Sequence, residues 1–317
     1  MAPETVTVIT LTYRRPNDLK DALPLLVEAL DDHPSAELLV VDNDVTPSAA
    51  GIVQGYGDHR VRYVHEPKPG IAAARNRGLK ETRHRDIVVF IDDDERPHPG
   101  WLRALLDVHR STGAEAVAGP VLSEFDGELD PWISAGRFFE RLRHPTGTPV
   151  DVAATNNLLL DVAFVAARAL RFDEEFGLSG GSDSVFTRQL RQAGGRILWC
   201  DEAIVTDAVP ASRATREWVL KRAFRMGNTE ARARIYTATG PARLKERALA
   251  LGRGAARIVG GAAEWLRGAG TSSLAHRARG MRTIRRGLGM ASAAFGYTRF
   301  EYRRPSAPGV QPKGGAA

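Results

Sequence analysis

Cysteine is almost absent from this sequence of 317 residues, which contains only Cys200. A single thiol cannot form an internal disulfide, and it excludes a zinc site built from cysteines. Such scarcity is typical of proteins that work in a reducing compartment. The N-terminus, MAPETVTVITLTY, lacks a basic segment followed by an apolar one. We therefore expect no secretory signal and a cytoplasmic location.

Two common nucleotide-binding motifs are also missing. No GxGxxG follows the first apolar segment, and GxxxxGK[ST] does not occur. A dinucleotide site or a P-loop would therefore lack its phosphate-binding loop. Any nucleotide must be held by other groups.

Acidic residues are scarce in the last third of the chain. Residues 211–317 contain 22 Lys and Arg against 5 Asp and Glu, a net charge of +17. The remaining 22 basic and 33 acidic residues give residues 1–210 a net charge of −11. A basic region of this kind usually meets phosphates, on nucleic acid or on a lipid surface. We predict a catalytic domain over 1–210, a basic helical region over 211–303 and a disordered tail over 304–317.

Short apolar segments alternate with helical patterns in the first hundred residues. Pro24 should kink or split the first helix. The alternation predicts an α/β fold, with a parallel sheet covered by helices. The predicted strands and helices are, in order, strand Thr5–Leu11, a helix from Leu19, strand Glu37–Val41, helix Ile71–Lys80 and strand Asp86–Ile91.

Polar clusters follow all three predicted strands, at Thr12-Tyr13, Asp42–Asp44 and Asp92–Glu95. Ligands of parallel sheets bind at the carboxyl ends of the strands. A solvated turn would explain one such cluster more easily than three. The pattern favours a binding site at this edge.

The sequence Asp92-Asp93-Asp94 concentrates three negative charges at one strand end. Like charges this close are costly unless a cation neutralises them or one carboxyl stays protonated. Mg²⁺ or Mn²⁺ would suit the cluster, because such ions take one or two carboxylates and complete their shell with water and phosphate oxygens. A metal held here could stabilise a departing diphosphate.

Two glycine-containing turns precede predicted helices. Pro69-Gly70 could expose backbone N–H groups to an anion, or could be a turn only. In Gly180-Gly181-Ser182-Asp183, Ser182 is the predicted N-cap and Asp183 lies in the first turn. The helix dipole keeps a carboxylate at that position ionised, as a general base requires, although helix capping alone would also explain it.

Five segments carry a recognisable pattern: VTVITLTYRRP (6–16), ELLVVDND (37–44), EPKPGIAAARNRGL (66–79), VVFIDDDERPHPGWL (88–102) and FGLSGGSDSVFTRQL (176–190). In this order they resemble the inverting family-2 glycosyltransferases with the GT-A fold. With RAFRMGN (222–228) they resemble, over residues 5–230, bacterial exopolysaccharide glycosyltransferases of the succinoglycan type. One departure is Ser182, where the family usually has Glu in Gly-Gly-Glu-Asp.

The resemblance implies a mixed sheet flanked by helices, and a nucleoside-diphosphate sugar as donor, with uracil as the expected base. It implies Asp183 as general base, and Mg²⁺ or Mn²⁺ on Asp94 with Asp92, although the register of DxD within the three aspartates stays open. The donor-binding residues that it implies are Thr12, Tyr13, Asp42, Asp44, Lys68, Gly70, Arg75, Asn76, Asp92 and Asp93. The acceptor-side residues that we predict are Trp132, Gly180, Gly181, Arg222 and Arg225.

Two amphipathic patterns follow Gly240, over Leu244–Trp265 and Leu274–Phe295, with arginines on the other faces. The longest uncharged run in this region, Gly287–Thr298, has 12 residues. This is short of the ~20 that span a bilayer. An apolar stripe beside a cationic face is typical of a helix in the membrane interface, so we predict peripheral contact with the inner face of the cell membrane. A helical pair packed on the catalytic domain would give the same pattern.

Together these features predict metal-dependent transfer of a sugar to a glycan or polyprenyl-diphosphate-linked acceptor. A nucleotidyltransferase of related architecture is one alternative, and a preference for a nucleoside triphosphate would identify it. A nucleic-acid-binding protein is another, but it leaves the three aspartates without a role, so we expect no nucleic-acid partner.

Overall fold

The computed structural model describes residues 4–31, 33–141 and 143–298, so the tail predicted over 304–317 lies outside the described residues. The strands in these ranges are β1 (Val6–Thr12), β2 (Ala36–Asp42), β3 (Val61–His65), β4 (Ile87–Asp92), β5 (Glu95–Pro97), β6 (Ala116–Ala118), β7 (Val121–Phe125), β8 (Asn157–Asp161), β9 (Ile197–Trp199) and β10 (Val205–Val209). The helices are α1 (Pro16–Glu28), α2 (Ala50–Tyr56), α3 (Ile71–Glu81), α4 (Trp101–Thr112), α5 (Pro131–Ala135), α6 (Val162–Ala167), α7 (Ser182–Gln192), α8 (Arg216–Thr237), α9 (Pro241–Gly270) and α10 (Leu274–Ala294).

A seven-stranded mixed sheet forms the centre of the fold, in the order β3-β2-β1-β4-β8-β6-β9. The strands β3, β2, β1 and β4 are parallel, whereas β8 is antiparallel to both β4 and β6. The predicted α/β class and the predicted parallel pairing of the first strands are confirmed. Helix α2 and strand β3, between the second and third predicted strands, were not expected from the sequence.

Apolar residues cover both faces of this sheet, because successive side chains of a strand point to opposite sides. On β4, Val89 and Ile91 join the core that contains buried leucines of α1 and α4. Val88 and Phe90 join the core on the other face, where α3 and α7 pack. Burial on both faces explains the continuous apolar runs in the sequence.

A second sheet of three strands, in the order β5-β10-β7, lies next to the end of β4. Its first strand begins at Glu95, directly after Asp94. The three aspartates therefore lie at the junction between the two sheets. Because Glu95 pairs with Asp207 of β10, this junction also brings in an acidic residue from far along the chain.

Two local expectations are corrected. Helix α1 continues through Pro24 and is not split, since its buried face (Leu19, Leu23 and Leu26 among others) holds it on the sheet. Ser182 is not the N-cap of α7: the cap residue is Gly181, in a left-handed conformation with φ of 99°. Two consecutive glycines with positive φ, Gly180 and Gly181, place Ser182 inside the first turn instead.

The basic region forms three helices. Helix α8 is capped by Thr215, whose side chain accepts from the amide of Trp218. Helix α10 packs against α8, α9 and α5, so the helical region is attached to the catalytic domain. Among the helices in the described ranges, none combines the length and the apolar character needed to cross a bilayer.

Glycines allow these helices to approach each other closely. A Cβ atom at Gly289 of α10 would lie 1.9 Å from the carbonyl oxygen of Phe224 in α8. A Cβ at Gly261 of α9 would lie 2.7 Å from the carbonyl oxygen of Gly280 in α10. The helices therefore pack backbone to backbone, and larger residues would separate them.

We expect Gly289→Ala to lower the free energy of unfolding by about 1–3 kcal/mol, because α10 must move away from α8. Gly252→Ala is the matched control, since its Cβ would meet no atom within 4 Å. That substitution should be neutral, or should stabilise the exposed helix by about 0.5–1 kcal/mol. Urea unfolding measures both, and equal effects of the two variants would contradict the packing.

Candidate active site

The polar ends of the central strands meet at one edge of the sheet. Thr12 is the register partner of Asp42, and Leu11 is the partner of Asp92. A cleft of about 470 Å³ opens beside this edge. The predicted site residues that line it are Thr12, Tyr13, Asp92, Asp93, Asp94, Arg222 and Arg225.

Arginines neutralise two of the three aspartates. Nη1 of Arg15 donates to Asp93 at 3.0 Å and to Asp94 at 2.8 Å. Nη1 of Arg213 donates to Asp94 at 3.3 Å. Arg15 lies in the loop between β1 and α1, whereas Arg213 comes from a short 3₁₀ helix before α8, so distant segments of the chain supply the two arginines.

Burial and mutual repulsion raise the pKa values of several acids here. Desolvation and the negative charge of Asp94 raise the pKa of Asp92 to about 7. Burial raises the pKa of Asp93 to about 6, against the opposing effect of Arg15. Burial and the neighbouring Asp92 raise the pKa of Glu95 well above its usual range. The cleft is thus lined by five acidic side chains and five arginines, and burial disfavours the ionised form of its most enclosed acids.

The donor set fits a hard divalent cation, although the site is not closed. No three acidic, histidine or cysteine side chains in the described ranges converge as a ready metal site. Oδ2 of Asp93 is buried and accepts no hydrogen bond from the described residues. Mg²⁺ needs one or two protein carboxylates, because water and substrate phosphates supply its other ligands. Asp92 and Asp94 can provide that pair.

Asp42 and Asp44 organise the loop after β2 and do not line the cleft. Asp42 is completely buried and accepts hydrogen bonds from the Ala49 amide at 2.7 Å and the Tyr63 hydroxyl at 3.0 Å. Asp44 accepts from Nε of Arg14 at 2.9 Å. Asp42 therefore orders this loop, and its direct contact with the base, which the resemblance implies, stays a prediction.

The turn at Gly70, which the resemblance assigns to the donor, makes hydrogen bonds within the protein. The amide of Gly70 donates to Asn43 at 3.2 Å, and the amide of Ile71 donates to the carbonyl of Gly177 at 3.2 Å. These contacts favour the turn over the anion cradle at the start of α3. Lys68 is exposed and forms an ion pair with Glu174.

Arg75 and Asn76 on α3 hold the segment before α7. Nη1 of Arg75 donates to the hydroxyl of Ser182 at 2.8 Å, and its guanidinium lies over the ring of Phe172. The side chain of Asn76 donates to the carbonyl of Phe172 at 2.8 Å and accepts from its amide at 2.8 Å. Neither residue lines the cleft, so both occupy supporting positions in this structure, and the donor contacts that the resemblance implies for them stay predictions.

Asp183 lines a neighbouring cavity of about 500 Å³ together with Gly180 and Gly181. Its carboxylate is partly exposed and accepts from the amide of Ser184 at 2.7 Å. Arg225 lines both this cavity and the cleft of the three aspartates. The candidate base and the candidate metal ligands therefore lie in adjoining spaces.

Of Trp218 and Trp132, only Trp218 lines the cleft. Arg222 lies over the rings of Phe139 and Trp218, and all three line the cleft. Trp132 instead stacks on Phe138 with ring centroids 5.1 Å apart and belongs to a hydrophobic cluster. Trp132 therefore does not line the cleft, and its predicted place on the acceptor side stays a prediction.

Sequence reasoning missed several residues of the cleft. Arg141 donates to Asp207 at 2.9 Å, and Asn156 donates to Glu95 at 2.6 Å. Arg15 could have been predicted from the sequence, because it lies shortly after Thr12, at a strand end that was predicted to bind a ligand. Arg141 and Asp207 had none, since only the second sheet brings them to Asp94.

Comparisons with known proteins agree with this geometry. The profile of "Glycosyl transferase family 2" matches residues 7–165. The chain is 36% identical to the succinoglycan biosynthesis protein ExoM of Rhizobium meliloti (strain 1021), over 72% of this chain and 75% of that protein. It is 30% identical to the pre-mycofactocin glycosyltransferase of Mycobacterium tuberculosis, over 53% of this chain and 36% of that protein.

Among solved structures, S. aureus TarS is similar with a TM-score of 0.51 and 17% identity. The similarity covers 77% of this chain and 41% of that one. At this identity the likeness concerns the fold alone.

Proposed function

Because this chain belongs to glycosyl transferase family 2, we propose that it transfers a sugar from a nucleoside-diphosphate donor, expected to be a UDP-sugar, to a glycan or polyprenyl-diphosphate-linked acceptor. One observation carries the proposal: the cleft of the three aspartates adjoins the cavity of Asp183, with Arg225 on the wall of both. Similarity to a succinoglycan biosynthesis protein supports polysaccharide formation as the process that it serves.

The donor would lie in the cleft, against Tyr13 and the three aspartates. Asp94 and Asp92 would hold Mg²⁺ or Mn²⁺, which neutralises charge on the departing diphosphate. Arg15 and Arg213 already contact Asp94, so they would keep this carboxylate oriented toward the cleft. Arg222, fixed over two aromatic rings, is placed to face the phosphates.

Asp183 would accept the proton of the acceptor hydroxyl while its oxygen attacks the anomeric carbon. The bond from that carbon to the diphosphate breaks in the same step, so the anomeric configuration is inverted. Asp183 lies in the first turn of α7, and the glycines before it would leave room for the acceptor.

We expect Asp183→Asn to reduce turnover by about 10²–10⁴-fold, because the amide cannot take the proton. Its oxygen can still accept from the Ser184 amide, so the fold and the affinity for UDP should remain. Asp151→Asn, an exposed carboxylate at the rim of the same cavity, is the matched control and should keep normal turnover. Near-normal turnover of Asp183→Asn would exclude it as the base.

Donor class and metal use can be measured as thermal stabilisation by UDP, GDP, TDP and UTP, each with and without Mn²⁺. A diphosphate at about 100 times its Kd should stabilise by about 2.7 kcal/mol, which is a shift of several degrees. We expect the largest shift for UDP with Mn²⁺, and loss of the Mn²⁺ effect in Asp94→Asn but not in Asp107→Asn on the exposed face of α4.

A metal-independent shift would contradict the role of Asp94. A preference for UTP would instead support a nucleotidyltransferase.

We further propose that α9 lies against an anionic membrane surface. Leu244, Val259 and Leu266 are 70%, 69% and 62% exposed, and with Leu251 they fall within an arc of about 80° at 100° per residue. The glycine face of α9 packs on α10, so this apolar face remains free to meet lipid. The net charge of +17 over 211–317 complements anionic headgroups.

Sedimentation with phosphatidylcholine vesicles, with and without phosphatidylglycerol, tests this contact. Exchange of Leu244, Val259 and Leu266 for Gln should weaken binding to anionic vesicles at least about tenfold, because each exposed leucine or valine contributes about 1.5–3 kcal/mol when buried. Leu25→Gln, on the exposed side of α1, is the control. Equal binding of both variants would rule out the α9 face.

A further inference from the structure

Four arginines surround the cavity that contains Asp183. Arg188 lies on α7 beside it, Arg225 and Arg234 lie on α8, and Arg286 lies on α10. All four are half-buried. Side chains from three separate helices thus converge on one cavity, which a merely solvated basic surface would not require.

The cavity holds more positive charge than its own acids neutralise. Glu230 pairs with Arg286 at 3.4 Å and with Arg234 at 3.7 Å. Among the described residues, Arg188 forms no ion pair, and its buried Nε has no hydrogen-bond partner. Burial and the nearby Arg234 lower the pKa of Arg188. Four guanidinium groups against the carboxylates of Asp151, Asp183 and Glu230 leave an excess of +1.

Four converging guanidinium groups suit a phosphate better than a carboxylate. A phosphate ester presents three acceptor oxygens and about −1.5 to −2 charges at neutral pH, whereas a carboxylate presents two oxygens and one charge. Guanidinium groups also suit phosphate oxygens, because they present several N–H donors in one plane. The buried Nε atoms of Arg234 and Arg286, like that of Arg188, have no partner among the described residues.

We propose that this four-arginine cavity binds a phosphate or diphosphate group of the acceptor. The proposal rests on the proposed function, since it takes Asp183 as the group that receives the acceptor proton. Because Asp183 and the arginines share one cavity of about 500 Å³, the bound phosphate lies close to the attacking hydroxyl. The acceptor is therefore a short glycan on a phosphate, and the reaction that supplies it must attach that phosphate before the glycan becomes long.

Calorimetric titration with geranyl diphosphate, on protein already saturated with UDP and Mn²⁺, tests the site. Occupying the donor cleft first leaves the arginine cavity as the place for the probe. We expect binding, weakened at least about tenfold in Arg188→Gln and in Arg234→Gln, each of which removes a charge-assisted contact. Arg83→Gln, an exposed arginine just after α3, is the control and should bind as the wild type does.

Parallel titrations with other ligands identify the chemical group that the cavity binds. Tighter binding of glucuronate than of geranyl diphosphate would overturn the assignment to phosphate. If inorganic pyrophosphate binds and geranyl diphosphate does not, the cavity excludes a diphosphate ester. That result would overturn the assignment to an acceptor. Displacement of geranyl diphosphate by excess UDP would place the probe in the donor cleft and would also overturn it.

The variants must be folded for these comparisons, and circular dichroism with thermal unfolding checks this. Arg188→Lys keeps the charge and should recover part of the affinity for geranyl diphosphate. Unchanged affinity in both glutamine variants would overturn the proposal. Failure of the wild type to bind UDP would instead count against the donor, and arginine-dependent binding of geranyl diphosphate alone would still support the cavity.

Discussion

The concentration of carboxylates at the end of β4 is the constraint on which the site depends. Asp93 and Asp94 adjoin buried Glu95, and Asp207 joins them through the second sheet. Such a cluster is costly unless cations balance it. Five arginines line the same cleft as five acids and supply that balance, while burial raises the pKa values of Asp92, Asp93 and Glu95.

The acidic front and the basic back of the chain meet in the two adjoining cavities. The acids of the aspartate cleft all come from residues 1–210, whereas three of the four arginines around Asp183 come from α8 and α10. Arg225 lines both cavities, so the basic region forms part of both walls. The close packing of α10 on α8 holds Arg286 near the arginines of α8.

Several residues that were predicted from the sequence as donor contacts support the segments around the site. Asn76 holds Phe172 through its backbone, and Arg75 reaches Ser182 at the start of α7. Buried Asp42 orders the loop after β2. These contacts fix the position of Asp183 relative to the sheet. A motif thus marks the neighbourhood of a site, whereas the direction of each side chain decides whether it touches the ligand or supports a residue that does.

The sequence by itself determined the parallel strands, the polar strand ends and the position of Asp183 in a first helical turn, because each follows from local periodicity and turn chemistry. It did not determine the partners of those residues. Arg213 and Asp207 reach Asp94 only through the fold, and Ser182 loses its expected capping role because Gly181 takes the left-handed position before it. The four-arginine cavity likewise exists only where α7, α8 and α10 pack together, since contacts between distant segments depend on tertiary packing that no local pattern encodes.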